Sequence, residues 1–400
     1  MRGVIARFHD RFVTMPARDP EEAHRQATPL ELLFDLVFVV AVTQVSERLH
    51  HAVVDGHAAD GALGFALVFA AIWWAWVNWT WFASAFDSDD LIFRFGAFVQ
   101  MFGVLVLAAG IGRAFDGNFA IGVTGYVIMR LALVGQWLRV AVALPRMRPA
   151  ALRFALGITV IQVAWVARLA VAEPIGVPSF VVLFLVELAI PWWAEQHRNT
   201  PWHRGHISER YVLFTIIVLG ESVLSATLAV KSALDDEGPV GVLVKLALSG
   251  FALVCAMWWL YTLRPAHLFL RQRSLAFSWS YGHYGIFCSI AAAGAGIAVM
   301  IDQVTHHAEG LTTAGAGAAV AVPTAAFLIT VWFFHLRPHG SDRRTEAACL
   351  LGAVLVLLTP FTPVPLELTA VTLVGVVIAT EHRRHRPSRA ARAVEPEAAG

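Results

Sequence analysis

Apolar stretches of about 15–25 residues, each closed by a short polar loop, recur along this chain, and the loops alternate between arginine-bearing and arginine-free. An α-helix needs about twenty apolar residues to cross a bilayer core of about 30 Å. The pattern therefore predicts an all-α, polytopic integral membrane protein. Twelve spans are expected, over residues 30–49, 60–82, 91–113, 119–143, 150–171, 177–193, 207–230, 240–264, 278–301, 312–335, 346–360 and 364–380. The last two are short and separated only by Phe361, Thr362 and Pro363. Two tilted spans or one broken re-entrant pair both fit there, so eleven is the alternative count.

The basic residues set an orientation. With the N-terminus inside, the outer loops hold one basic residue, Lys231, while arginines crowd the inner segments. Positive charge on the cytoplasmic side is the rule for membrane proteins, so both termini are expected in the cytoplasm. The 83–90 loop is odd: it carries Asp87, Asp89 and Asp90 and no basic residue, with Arg94 following within one turn. Composition agrees with membrane insertion, at 58% hydrophobic residues, 15% charged and a mean hydropathy of +0.63. A net charge of +1 gives no reason to expect nucleic acid.

The ends and the cysteines add little. Val4, Ile5, Phe8, Phe12 and Val13 set against Arg2, Arg7, Arg11 and Arg18 predict an amphipathic surface helix within residues 1–25. The basic stretch from His382 to Arg392 opens a tail expected to be disordered and to touch anionic lipid. No secretory apolar region precedes the first span, so no cleaved signal peptide is expected. Cys255, Cys288 and Cys349 fall in spans and read as small apolar residues. There is no metal-ligand spacing, Walker loop, HExxH, GxSxG or CxxC arrangement. No cofactor, metal or catalytic group is expected.

The chain also resembles itself at an offset of 178 residues, with Thr28-Pro29-Leu30-Glu31 against His206-Ile207-Ser208-Glu209 and Thr43-Gln44 against Glu221-Ser222. Trp73-Trp74-Ala75-Trp76 on the second span resembles Trp258-Trp259-Leu260-Tyr261 on the eighth. Both copies start on the same side, which predicts two parallel six-helix repeats. The expected organisation is a cytoplasmic segment over 1–29, repeats over 30–193 and 207–380, a linker over 194–206 and a tail over 381–400.

The polar residues inside spans are the candidate chemistry, because an ionisable group in lipid must be paired or solvated. Glu31 completes a capping box with Thr28, which by itself accounts for it. Asp35 lies one turn further on the same face, and either shares a proton or cation with Glu31 or pairs with an arginine on another span. Arg130, Glu187 and Glu221 lie deep, and a buried bridge from Arg130 to Glu187 or Glu221 is the plainer account of them. Asp35, Glu221 and at least one of Arg130, Glu187 and His283 are expected to share a polar interior. Thr43, Gln44, Asn78, Glu209 and Ser222 join the candidate set for binding a solute or ion. His206 and His283, near span ends, either bond helix termini or titrate beside carboxylates. Trp73, Trp74, Trp76, Trp79 and Trp81 read partly as an interfacial belt, with a stacking surface for a substrate as the alternative.

Two of these stretches carry a resemblance. Thr28–Gln44, with its Leu-Leu-Phe-Asp-Leu-Val-Phe core, is similar to the opening signature of the bacterial low temperature requirement A proteins. His206–Arg210 followed by Leu213–Ser222 resembles that family's second signature, and Tyr281–His283 also fits. The resemblance covers about residues 25–380 and implies a multi-pass inner-membrane protein of a family named for a growth phenotype in the cold. It implies no particular activity. A secondary transporter for an unknown small solute or ion, with a polar site between the halves, is the leading expectation. The alternatives are a non-catalytic membrane protein of cold stress, a lipid-handling enzyme, or a channel. For the channel, Leu33-Phe34-Asp35 is loosely similar to the Phe-Ser-Asp motif of a potassium-channel family. Oligomeric state is left open.

Overall fold

The structure is a computed structural model that describes residues 15–22, 25–170, 176–196, 198–235, 239–270, 272–305, 310–340 and 343–381. Val4, Ile5, Phe8, Phe12 and Val13 of the predicted surface helix, and the stretch from His382 to Arg392, lie outside the described residues. Among the described residues the fold is all-helical. Its helices are α1 (Pro29–Val54), α2 (Ala58–Phe86), α3 (Leu91–Phe115), α4 (Ala120–Ala143), α5 (Arg148–Arg168), α6 (Gly176–Ala194), α7 (Arg204–Asp235), α8 (Val240–Thr262), α9 (Arg273–Val304), α10 (Thr313–Thr330), α11 (Arg343–Leu358) and α12 (Pro365–Glu381). Eleven of the twelve are long and apolar enough to cross a membrane, α11 being counted with the short turn that extends it to Phe361. The remaining helix, α12, has 17 residues, or about 26 Å at 1.5 Å per residue. It packs on α8 and α11 as a helix of its own, so 361–363 separates two helices.

The ends of these helices follow local chemistry. Thr28 caps α1, its side chain accepting from the Glu31 backbone N–H while Glu31 accepts from the Thr28 N–H at 2.8 Å, and Pro29 takes the first helical position. Asp90 caps α3 by accepting from the N–H groups of Ile92 and Phe93. Close approach of α3 and α4 depends on glycine: a Cβ at Gly103 would meet Met129 Cγ at 2.6 Å and the Gly125 carbonyl at 2.8 Å. After Thr330, α10 widens into a π-turn over Val331–Leu336, a distortion that needs a local cause.

The chain divides into two compact units, Met1–Glu221 and Ser222–Gly400, with the division falling inside α7. In the first unit α3 packs on α4, α4 on α5, α5 on α6, and α1 on α2 and α3. In the second, α9 packs on α10, α10 on α11, and α12 on α8. Leucine, valine and phenylalanine side chains such as Leu36, Phe95, Val163, Leu185, Leu248 and Val371 cover the outer helix surfaces. An all-round apolar helix is expected of a protein whose solvent is lipid.

Candidate functional site

The first unit holds a buried cluster of charge between α1, α2 and the first turns of α7. Spacing of four residues puts Glu31 and Asp35 on one face of α1, and His206 and Arg210 on one face of α7. His206 Nε2 lies 3.1 Å from the Glu31 carboxylate. One turn on, Arg210 Nη2 donates to Asp35 Oδ1 at 2.5 Å, and Arg210 Nη1 stands 3.9 Å from Glu31 Oε1. Because 31 meets 206 and 35 meets 210, α1 and this part of α7 run parallel. All four side chains have no solvent exposure.

Helix α2 supplies the walls. Trp76 Nε1 donates to the same Asp35 Oδ1 at 2.7 Å and its ring stacks on Phe214. Trp79 stacks on Phe34 at 3.7 Å, and the Arg210 guanidinium lies 5.4 Å from its ring. Trp73, Trp74, Trp76 and Trp79 are therefore buried within the protein, which corrects the expectation of an interfacial belt for this part of the cluster. Only Trp81 keeps partial exposure, donating to the Tyr211 hydroxyl at 3.3 Å.

Charges next to the cluster come from the segment before α1 and the end of α2. Arg25 donates to the carbonyls of Ala83 (2.7 Å) and Ser84, completing the C-terminal end of α2. Burial lowers the Arg25 pKa against the attraction of Glu31, but a guanidinium stays charged. Asp87 caps α2; burial, then repulsion from Glu31, pushes its carboxyl above the ordinary value. The rest of the odd acidic loop is matched by arginines: Asp89 pairs with Arg94 at 2.8 Å, and Asp90 with the buried Arg139.

A second ion pair lies between α4, α5 and α6. Arg130 Nη2 meets Glu187 Oε1 at 2.7 Å. Tyr126 donates to Oε1 and Trp165 to Oε2, both at 2.9 Å. Arg130 thus takes Glu187 as its partner, one of the two carboxylates expected for it. Asp35 shares no hydrogen bond or ion pair with this group. Tyr126 and Trp165 also line an apolar cavity of about 60 Å³ with Leu107 and Phe180.

The other candidates fall elsewhere. Asn78 donates to the Trp74 carbonyl of its own helix at 2.8 Å. Gln44 is exposed and reaches Glu47, Thr43 is half-buried, and Glu209 is half-buried with no hydrogen bond or ion pair among the described residues. Glu221 and Ser222 are buried, and Ser222 donates to the Ile290 carbonyl at 3.3 Å. His283, in the second unit, belongs to a network of neutral rings. Its Nδ1 faces the Trp279 carbonyl at 2.6 Å and its Nε2 faces the Tyr261 hydroxyl at 2.9 Å. Trp279 Nε1 donates to His335 Nδ1 at 3.2 Å, and His335 Nε2 faces the Arg264 carbonyl at 3.0 Å. His335 sits in the π-turn, so these bonds are what the widened backbone positions.

Sequence reasoning missed Arg210, Tyr261 and His335 as site residues, and it singled out Trp76 without pairing it with Asp35. For Arg210 a signal existed: it follows His206 by one helical turn, as Asp35 follows Glu31.

The family model described as bacterial low temperature requirement A protein (LtrA) matches residues 26–380. The chain belongs to the LtrA family. Both signature stretches, Thr28–Gln44 and His206–Ser222, lie within the match, and they are the stretches that build the α1/α7 cluster. This LtrA chain is similar to an uncharacterized protein of Rhizobium meliloti (strain 1021), with 31% identity over 244 residues, 58% of this chain and 57% of the relative. The match thus spans little more than half the length of that relative. No solved structure matches this LtrA protein.

Proposed function

We propose that this LtrA protein is a secondary transporter of the bacterial inner membrane, with both termini cytoplasmic and the α1/α2/α7 cluster as its coupling site. The proposal includes the two parallel six-helix repeats over 30–193 and 207–380. The observation that carries it is the composition of the cluster: two carboxylates gathered on one guanidinium, with an imidazole on one of them, all without solvent exposure. One ion pair would suffice to pin α1 to α7. A second carboxylate and an imidazole add titratable groups at a cost of several kcal/mol in lipid, and coupling a solute to an ion is what such groups do. In this reading Glu31, Asp35 and His206 handle the coupling ion, while Arg210 and Trp76 hold Asp35.

The test is flux into proteoliposomes over a panel of small solutes and ions, with and without a pH gradient. Wild-type protein is expected to move at least one solute in a gradient-dependent way. Asp35→Asn and Glu31→Gln are expected to remove the gradient dependence. Wild-type protein inert across the panel, or variants with unchanged gradient-driven flux, would sink the reading in favour of a structural role for the cluster.

A further inference from the structure

Among the described residues, the α1/α2/α7 cluster is one positive charge short. Two guanidinium groups, Arg210 within it and Arg25 beside it, face three carboxylates, Glu31, Asp35 and Asp87. No other ionisable side chain enters from α2, whose contacts are the indoles of Trp76 and Trp79. On the α7 side His203 uses its Nδ1 to accept the His206 backbone N–H at 3.0 Å, so it presents no lone pair there. Before α1, Arg18 and Glu22 pair with each other at 3.1 Å and add no net charge. Among the described residues the imidazole of His206 is the remaining group. Leaving a net negative charge enclosed between apolar helices is costly, so one cation equivalent belongs to the site.

Geometry discriminates among cations. A metal ion needs several oxygen ligands around one point. The point between the two carboxylates is held by the Arg210 guanidinium, at 2.5 Å from Asp35 and 3.9 Å from Glu31. A metal there would meet like charge. A proton needs only one lone pair. Glu31 takes both of its hydrogen-bond partners, the Thr28 N–H and His206 Nε2, on Oε2. Asp35 takes both of its donors, Arg210 and Trp76, on Oδ1. Three buried titratable atoms of the cluster with a lone pair available are left without a hydrogen-bond partner among the described residues: Glu31 Oε1, Asp35 Oδ2 and His206 Nδ1. Glu31 Oε1 stands within ion-pair distance of both His206 Nε2, at 3.1 Å, and Arg210 Nη1, at 3.9 Å, which favours its ionised form and leaves Asp35 Oδ2 and His206 Nδ1.

We infer that the ligand of this cluster is a single exchangeable proton, held on Asp35 Oδ2 or His206 Nδ1, and that metal cations are excluded by Arg210. The inference rests on the cluster being the coupling site and names the coupling ion. Binding takes one proton from solvent and brings the cluster from one net negative charge to neutrality. Releasing it restores the charge, so the site alternates between a neutral and an anionic state.

The test needs no flux. Purified full-length protein in detergent is taken through pH steps while proton uptake is counted and the protonated-carboxyl infrared band is followed. Wild type is expected to take up one proton more than Asp35→Asn, since the amide removes the surplus charge. His206→Gln is expected to keep the extra proton and to show it wholly on a carboxyl. Asp35→Glu, which retains the acid if the amide does not fold, is expected to keep the uptake, with a shifted band when the carboxyl holds the proton. Sodium or potassium is expected to give no thermal shift beyond that of choline at alkaline pH. Equal uptake by wild type and Asp35→Asn, loss of the extra proton in Asp35→Glu, or a sodium- or potassium-dependent thermal shift that Asp35→Asn abolishes would each overturn the inference. Proton uptake in a protein that moves no solute would uphold it and remove the transporter reading. Flux without the extra proton would do the reverse.

Discussion

Two buried arginine–carboxylate sites in the same unit are built on different arithmetic. At the α4–α6 site one guanidinium meets one carboxylate, and Tyr126 and Trp165 donate to Glu187 as well. What remains unpartnered there is Nε and Nη1 of Arg130. Those are donors, and a donor cannot take up a proton. At the α1/α7 site the carboxylates outnumber the guanidinium, and the leftover atoms include Asp35 Oδ2 and His206 Nδ1, which can. A buried ion pair by itself says only that helices pack. Surplus acid with a lone pair left over says that something binds.

The largest expected effect tests the balanced site. Glu187→Gln leaves the Arg130 charge enclosed without a counter-charge and should cost about 3–5 kcal/mol. The double variant Arg130→Met/Glu187→Leu should regain most of that loss, because a buried pair is often replaceable by apolar side chains of similar size. Asp35→Asn should cost clearly less than Glu187→Gln, since Glu31 remains 3.9 Å from Arg210. Thermal and denaturant unfolding in detergent measure all three. An Asp35→Asn loss as large as that of Glu187→Gln would erase the distinction between the sites.

Much of this was legible beforehand, for physical reasons. Span lengths follow from bilayer thickness, and Thr28-Pro29-Leu30-Glu31 announces a capped helix because capping is local. Asp35 stood out because a carboxylate among Leu, Phe and Val must find a partner. Its partner did not stand out. Arg210 and Trp76 reach it from other helices, and which faces meet is a property of packing that no short window of sequence contains. The capping box also concealed a second role for Glu31, whose carboxylate both closes the box and holds His206. Reading the tryptophans as a belt failed for a related cause: their indole N–H groups make them useful inside as well as at an interface. His335 lay hidden because the π-turn that places it leaves no pattern of apolar spacing.

An intermediate effect sharpens the role of the indole. Trp76→Phe keeps most of the ring and removes one of two donors to Asp35 Oδ1. A hydrogen bond to a charged group is worth about 1.5–3 kcal/mol, and a loss in that range is expected in unfolding experiments. The neutral network of the second unit should respond less. Tyr261→Phe removes only the hydroxyl facing His283, an effect of about 1 kcal/mol. If Tyr261→Phe proves the more damaging, the charged cluster is not the more demanding of the two sites.

The smallest effect concerns the acidic loop beside the cluster, where neighbouring carboxylates are shifted in opposite directions. Burial and Glu31 raise Asp87, so its ionised form is disfavoured in the folded protein. The hydrogen bond from Arg94 lowers Asp89, so its ionised form is favoured. The signs then differ. For Asp87 the folded state gains as pH falls from neutrality through the raised value. For Asp89 stability is present above the unfolded carboxyl value near 3.9 and is lost as pH falls through the depressed one. Asp87→Asn keeps the oxygen that accepts the Asp89 N–H and sheds the penalised charge, so its melting temperature at pH 7 should rise slightly. Asp89→Asn should lower it slightly, because the bond from Arg94 loses its charge. Asparagine suits the positive φ of 46° at that position, so backbone strain does not confuse the comparison. The Asp89 effect should shrink in high salt, since the pair is half-exposed. Shifts of the same sign in the two variants would show that Glu31 and burial do not reach Asp87, and that the acidic loop is electrically separate from the cluster.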